Sequence, residues 1–216
     1  MIKLDDICKK YADKSVFEHF SFTAEDGKIT VVLGESGAGK TTLLSVIAGI
    51  TEFSGTVSGA DKTSMVFQRD RLVPHLTVEQ NVRLVNDGAD VSALLAEMGI
   101  AGTEKKYPAE LSAGMARRVA LIRALSFDAP IVLMDEPLVN LDLSLKYLLI
   151  EKIKDLRDKY KKTVVLVTHD VSEAVMLADK IVVLSDGKII YENDDVSENE
   201  ETVLRELFLK KAREKL

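Results

Sequence analysis

Little in this sequence would staple the chain covalently or seat it in lipid. Cys8 is the only cysteine in 216 residues, so no intramolecular disulfide can form and no thiolate cluster can be built from this chain. Cys8 itself reads as a buried strand residue. No apolar run is long enough to cross a bilayer, and the opening MIKLDDICKK has no apolar signal-peptide core, so the expected location is the cytoplasm. Basic residues are in the minority, with 29 Lys and Arg against 35 Asp and Glu. The resulting net charge of −6 and pI near 5.2 argue against a broad nucleic-acid face, because binding a phosphate backbone needs clustered cations. Any polyanion must be held by a few local groups. Internal repeats and low-complexity tracts are absent, and only 4 prolines interrupt the elements.

The composition, 46% hydrophobic and 30% charged, is that of an ordinary globular protein. Its length suits one compact domain spanning residues 1–216. The segments Ile2 to Tyr11 and Val16 to Thr23 mix β-branched, aromatic and polar residues as half-buried antiparallel strands do. Lys28 to Leu33 is nearly all apolar and stops at glycine, which suits a central strand covered on both faces. A helix over Lys40 to Ala48 closes at Gly49. Further buried strands are predicted at Ser64 to Gln68, Ile131 to Asp135, Thr163 to Thr168 and Ile181 to Leu184. Their alternation with helical patterns predicts an α/β fold with a mostly parallel sheet, preceded by an N-terminal antiparallel β part. Residues from about 77 to 124 carry helical segments and no convincing strand, and read as an α-helical lobe inserted in that core. The segment Glu200 to Leu216 has helical periodicity, with Leu204, Leu207 and Phe208 forming an apolar face expected to pack on the domain itself.

Between the Lys28 to Leu33 strand and the following helix lies Gly34-Glu35-Ser36-Gly37-Ala38-Gly39-Lys40-Thr41, the phosphate-loop pattern in its required context. Glycines let the backbone wrap closely around phosphate oxygens, and the N–H groups opening the helix point at the anion. Residues 34 to 39, with Lys40, Thr41 and Thr42, are therefore candidates to bind ATP. Lys40 supplies a charge to the β- and γ-phosphates and Thr41 a hydroxyl to Mg²⁺. A P-loop NTPase core follows, and an acidic protein can hold a nucleotide because the field is local.

The strand Ile131 to Asp135 ends abruptly in two carboxylates followed by Pro137. Successive strand side chains point to opposite faces, so the two acids can serve different partners. Asp135 suits the Mg²⁺ sphere, while Glu136 suits the water that attacks the γ-phosphate, as base or orienter. A phosphate loop with an acidic pair still leaves kinases, GTPases and motors open.

The segment Leu111-Ser112-Ala113-Gly114-Met115, which runs on through Arg117, Arg118 and Arg123 to Leu125, narrows the choice. It resembles the signature motif of ATP-binding cassette (ABC) ATPases, usually LSGGQ followed by an arginine-rich amphipathic helix. The resemblance covers essentially the entire chain and brings further residues with it, in the family's order. It implies that Tyr11 stacks on adenine, that Gln68 is the Q-loop residue sensing the γ-phosphate and Mg²⁺, that Leu141-Asp142 is the D-loop, and that His169 is the switch histidine. His169 follows the strand Thr163 to Thr168, at the sheet edge where open α/β folds present ligands. The catalytic set is then Lys40, Gln68, Glu136 and His169, with Thr41, Gln68 and Asp135 toward the metal. Ser112 reads as a helix N-cap able to receive an anion together with nearby N–H groups. In the family that anion is the γ-phosphate on an opposing subunit, so Ser112, Gly114 and Asp142 belong to the ATP site of a second cassette and the ATP-bound form is a dimer. Ala113 and Met115 depart from consensus. If residue 113 needs a positive φ, its methyl group costs about 1 kcal/mol or more. Val139 and Asn140 also replace the usual small residues before the D-loop.

A single short cassette resembles the separate ATPase subunit of a bacterial-type transporter, and the stretch Phe67 to Val82 with Met115 looks like the nitrate, sulfonate and taurine importer class. The implied partners are a transmembrane permease, a second ATPase subunit and a solute-binding protein, with the chain peripheral on the inner face of the membrane and no nucleic acid bound. The alternatives are an exporter or lipoprotein-release ATPase, or a soluble ATP-driven switch acting on protein or nucleic acid. Leu72-Val73-Pro74-His75-Leu76, an apolar loop after Gln68, reads either as a docking surface for a partner, which the resemblance implies is the membrane subunit, or as a loop whose Leu72 and Leu76 pin the lobe to the core.

Overall fold

The computed structural model describes residues 1–12, 14–139, 141–197 and 199–214. Among them, β1 (Ile2–Tyr11), β2 (Lys14–Ala24) and β4 (Ser54–Ser58) form an antiparallel sheet in the order β2-β1-β4. A six-stranded sheet runs β5-β6-β7-β3-β8-β9, built from β3 (Ile29–Leu33), β5 (Thr63–Val66), β6 (Ile131–Asp135), β7 (Thr163–Thr168), β8 (Lys180–Ser185) and β9 (Lys188–Asn193). All its pairings are parallel except the last, β8 with β9. The helices are α1 (Lys40–Ile47), α2 (Val78–Arg83), α3 (Val91–Glu97), α4 (Ala113–Ser126), α5 (Leu143–Asp158), α6 (Val171–Leu177) and α7 (Glu200–Glu214). The stretch between β5 and β6 contains α2, α3, a 3-10 turn at Pro108–Glu110 and α4, with no strand among the described residues. This is the expected α/β class.

Every residue of β3, β6, β7 and β8 is buried, because both faces of the parallel sheet are covered. Alternation then divides their side chains between two cores. Ile29, Val31, Leu33, Val164 and Leu166 join the face covered by α4, α5 and α6. Val32, Val165 and Val167 join the opposite face, with α1 and the antiparallel sheet. Leu204 of α7 is buried in the first core, with Leu207 and Phe208 packed against it, so the terminal helix docks on its own chain as its periodicity implied.

Two strands escaped the sequence reading. β4 is short and almost wholly exposed, so it lacks the apolar run that marks a buried strand. β9 alternates exposed and half-buried residues after the turn at Asp186-Gly187, where φ is positive at both positions. An Asp-Gly pair flanked by alternation is a hairpin signal. Cys8 is half-buried, not buried as expected, because β1 is irregular there, its pairing to both neighbours shifting register.

Candidate functional site

The phosphate loop leaves the buried end of β3 and enters α1 through Gly39, whose φ of 107° only glycine adopts without strain. Lys40 follows at once. Its side chain is buried, and Nζ donates to the carbonyl oxygens of Gly34 at 2.7 Å and Glu35 at 3.0 Å. The ammonium is thus held inside the concave turn, 3.8 Å from Glu136 Oε1. Burial lowers its pKa, opposed by the Glu136 and Asp135 carboxylates.

The ends of β6 and β7 supply the remaining charges. Thr41 Oγ1 donates to Asp135 Oδ2 at 2.9 Å. Burial pushes the Asp135 carboxyl above the usual carboxylate range; the Thr41 hydroxyl opposes this, Glu136 adds to it, and Lys40 and Arg117 oppose it. Glu136 takes a left-handed backbone with φ 45°, which costs a non-glycine residue about 1–2 kcal/mol. That turn brings its carboxylate back toward the loop, 3.2 Å from Nδ1 of His169. An ionised carboxylate only accepts, so this contact selects the imidazole tautomer with a proton on Nδ1.

An open cleft of about 420 Å³ runs over Lys40, Thr41 and Glu136, with Tyr11, Ser36, Thr42 and Gln68 on its walls, while Asp135 lies buried behind Thr41 and His169 lines a neighbouring hollow with Gly34 and Glu35. Tyr11 is 47% exposed, and its ring carries the Lys9 ammonium 4.4 Å from its centroid. It is a flat, accessible platform at the rim. The structure therefore brings together Tyr11, the loop residues, Lys40, Thr41, Gln68, Asp135, Glu136 and His169, drawn from β1, from the loop before α1, and from the ends of β5, β6 and β7.

Ser112, Gly114 and Asp142 are absent from the walls of this cleft. Ser112 caps α4, its hydroxyl accepting from the Met115 N–H at 3.3 Å. Asp142 caps α5 by accepting from the Leu145 N–H at 2.9 Å. A Cβ added at Gly114 would meet nothing within 4 Å, so no group among the described residues requires glycine there. Ala113 lies in the first turn of α4 and is not among the residues with positive φ, so the conditional cost of its methyl group does not arise. Asn140, in the departure before the D-loop, lies outside the described residues.

Two charged side chains that the sequence reading did not single out hold this arrangement. Arg117, buried in α4, reaches the carbonyls of Phe67, Gln68, Glu136 and Pro137. Lys146 of α5 bridges Asp170 at 3.1 Å and the buried Glu173 at 2.7 Å, just beyond His169. The available signal for Arg117 was its place on the apolar side of α4, in register with Ala120, Leu121 and Ala124, where a cation needs partners.

A family model described as ABC transporter matches residues 17–139. The chain is 38% identical over 195 residues to the aliphatic sulfonates import ATP-binding protein SsuB 2 of Streptomyces avermitilis, covering 87% of this chain and 78% of that protein. A like-named protein of Nocardia farcinica is 39% identical over 197 residues, covering 88% and 82%. Among solved structures, the dimeric post-hydrolysis state of an ATP-binding cassette bound to ADP and Pi superposes with a TM-score of 0.81 at 27% identity, covering 89% of this chain and 98% of that one. An ATP-binding subunit of an ABC transporter gives a TM-score of 0.85 at 23% identity, covering 97% and 98%.

Proposed function

Because this chain belongs to the ABC transporter family as its ATP-binding, ATP-hydrolysing subunit, we propose that it powers import of a small organic anion of the alkylsulfonate class through a membrane permease. In this reading the subunit works as one half of a dimer on the cytoplasmic face of the membrane, held there by the permease, and a solute-binding protein delivers the anion. The sulfonate class rests on the relatives named for aliphatic sulfonate import. The ATPase site rests on one observation above the rest: Lys40 and His169 both face the Glu136 carboxylate, at 3.8 and 3.2 Å, and Lys40 and Glu136 line one cleft.

Tyr11 stacks on the adenine, and the loop from Gly34 to Gly39 wraps the phosphates with its N–H groups. Lys40 exchanges its two carbonyl contacts for β- and γ-phosphate oxygens. Glu136 then accepts a proton from the attacking water, and His169 fixes the direction of that carboxylate. Thr41 and Asp135 offer hard oxygens 2.9 Å apart, and with Gln68 they would hold Mg²⁺. Among the described residues no group of three or more His, Cys, Asp and Glu could hold a metal unaided, which fits a cation that shares its ligands with phosphate. When bound, the cation supplies positive charge to the phosphate oxygens.

Glu136→Gln keeps the shape of the carboxylate and loses its basicity. The expected result is unchanged ATP affinity with hydrolysis slowed by about 10²–10⁴. Size-exclusion chromatography with ATP and Mg²⁺ should then show a dimer for the variant and mostly monomer for the wild type. Wild-type turnover in this variant would remove Glu136 from the mechanism, and a permanent monomer would count against the paired site. The transport class is checked in vesicles holding the cognate permease and solute-binding protein: ATP-dependent alkylsulfonate uptake is expected, and ATPase activity without uptake would overturn the substrate.

A further inference from the structure

The ladder between β5 and β6 ends at Val66 opposite Met134. Beyond it the two chains separate, one toward Gln68 and the other toward Glu136, and their carbonyls lose strand partners. The Arg117 guanidinium occupies that gap from α4. Nη1 donates to Phe67 O at 2.6 Å and to Gln68 O at 3.4 Å, Nη2 to Glu136 O at 2.9 Å, and Nε to Pro137 O at 3.3 Å. The Asp70 carboxylate, 3.3 Å from Nη1, supplies the counter-charge. A guanidinium carries its donors in a rigid planar fork, and here Nε, Nη1 and Nη2 between them meet four carbonyls and one carboxylate, with Nη1 shared among three acceptors.

We propose that Arg117 is a positioning residue for hydrolysis, locking the Gln68 and Glu136 loops to one another and to the helix that Ser112 caps. The inference rests on the assignment of Glu136 and Gln68 to the ATPase site. Both backbone polar groups of residue 136 are committed: its N–H donates to Val167 O at 3.0 Å and its carbonyl accepts from Arg117. The left-handed turn that aims the carboxylate at Lys40 and His169 is therefore held on one side by β7 and on the other by α4. Ser112 and Arg117 lie five residues apart on one helix, about 7.5 Å along its axis, so a displacement of the capped end reaches both loops through a single side chain. Arg123, farther along α4, donates among the described residues to Asp70 O, Arg71 O and the Asn81 side chain. It secures the same loop without touching residue 68 or 136.

The test compares Arg117→Lys, Arg117→Ala and Arg123→Lys with Glu136→Gln in parallel. Lysine keeps the charge beside Asp70 but cannot span four carbonyls. The expected result for Arg117→Lys is ATP affinity and KM within threefold of wild type, with kcat reduced at least tenfold, which corresponds to about 1.4 kcal/mol. Arg123→Lys should keep kcat within threefold. Millimolar methylguanidinium should restore part of the turnover of Arg117→Ala and leave Glu136→Gln inactive. Arg117→Lys with a kcat within twofold of wild type, or with kcat and ATP affinity lost in proportion to melting temperature, would overturn the proposal; so would a failure of Arg117→Lys to fold. Full activity in Glu136→Gln would instead overturn the site assignment on which it rests.

Discussion

At the scale of single residues, the loop that follows His169 shows how a carboxylate can be held charged in a half-buried place. Asp170 Oδ1 accepts from the N–H groups of Ser172 at 2.8 Å and Glu173 at 3.2 Å, capping α6, while Oδ2 meets Lys146. Burial alone would raise the pKa of Asp170, but the Glu173 N–H and the Lys146 ammonium outweigh it and hold the carboxyl below its ordinary value. A depressed folded pKa gives stability that is fully present above the unfolded value, about 3.9, and is lost as pH falls through the folded one. Melting temperature measured from pH 6 down to pH 3 should therefore fall more steeply for wild type than for Asp170→Asn, which keeps an oxygen for the cap. Parallel curves would show that the charge contributes nothing. Lys40, Asp135 and Glu136 were legible in the sequence because each stands where an apolar strand or glycine loop ends, whereas His169 was singled out through the family resemblance. Arg117 and Lys146 were not legible, because their roles consist of contacts to carbonyls and carboxylates that are distant along the chain.

Among the elements, the β8–β9 hairpin touches the nucleotide loop directly. The Gly187 N–H donates to Ala38 O at 3.2 Å, and a Cβ at Gly187, where φ is 72°, would stand 1.9 Å from Val16 O. Gly187→Ala must push the hairpin off β2 or distort the turn, so a loss of more than about 2 kcal/mol is expected. Because the hairpin abuts the phosphate loop, ATP affinity should fall along with melting temperature. An unchanged affinity in a folded variant would mean that the loop keeps its shape without this prop. The apolar loop at residues 72–76, expected to meet the membrane partner, is also more divided than its composition suggests. Leu72 packs against the core, and the Val73 N–H and carbonyl are both tied to the buried Asn81 side chain. Pro74 and His75 are its exposed part. Apolar composition alone does not separate a residue that pins a loop from one that presents it.

For the whole molecule, the order of elements was legible because the parallel sheet writes itself as continuous apolar runs, while the exposed edge strands β4 and β9 do not. The separation of Ser112, Gly114 and Asp142 from the cleft was legible only through the family resemblance, which assigns those residues to the site of a second chain. The central sheet has a further consequence for how the protein comes apart. Val31 and Val32 are neighbours on one strand yet belong to different cores, and the same holds for Leu166 and Val167. Neither layer can lose its packing while these backbones keep their place for the other. Heating should give one cooperative transition, with calorimetric and van't Hoff enthalpies equal. In native-state hydrogen exchange, the β3 and β7 amides should be released only by global opening. The glycine loop before α1 and His169 would then both be tethered to the last part of the protein to open, so local breathing elsewhere leaves their spacing unchanged.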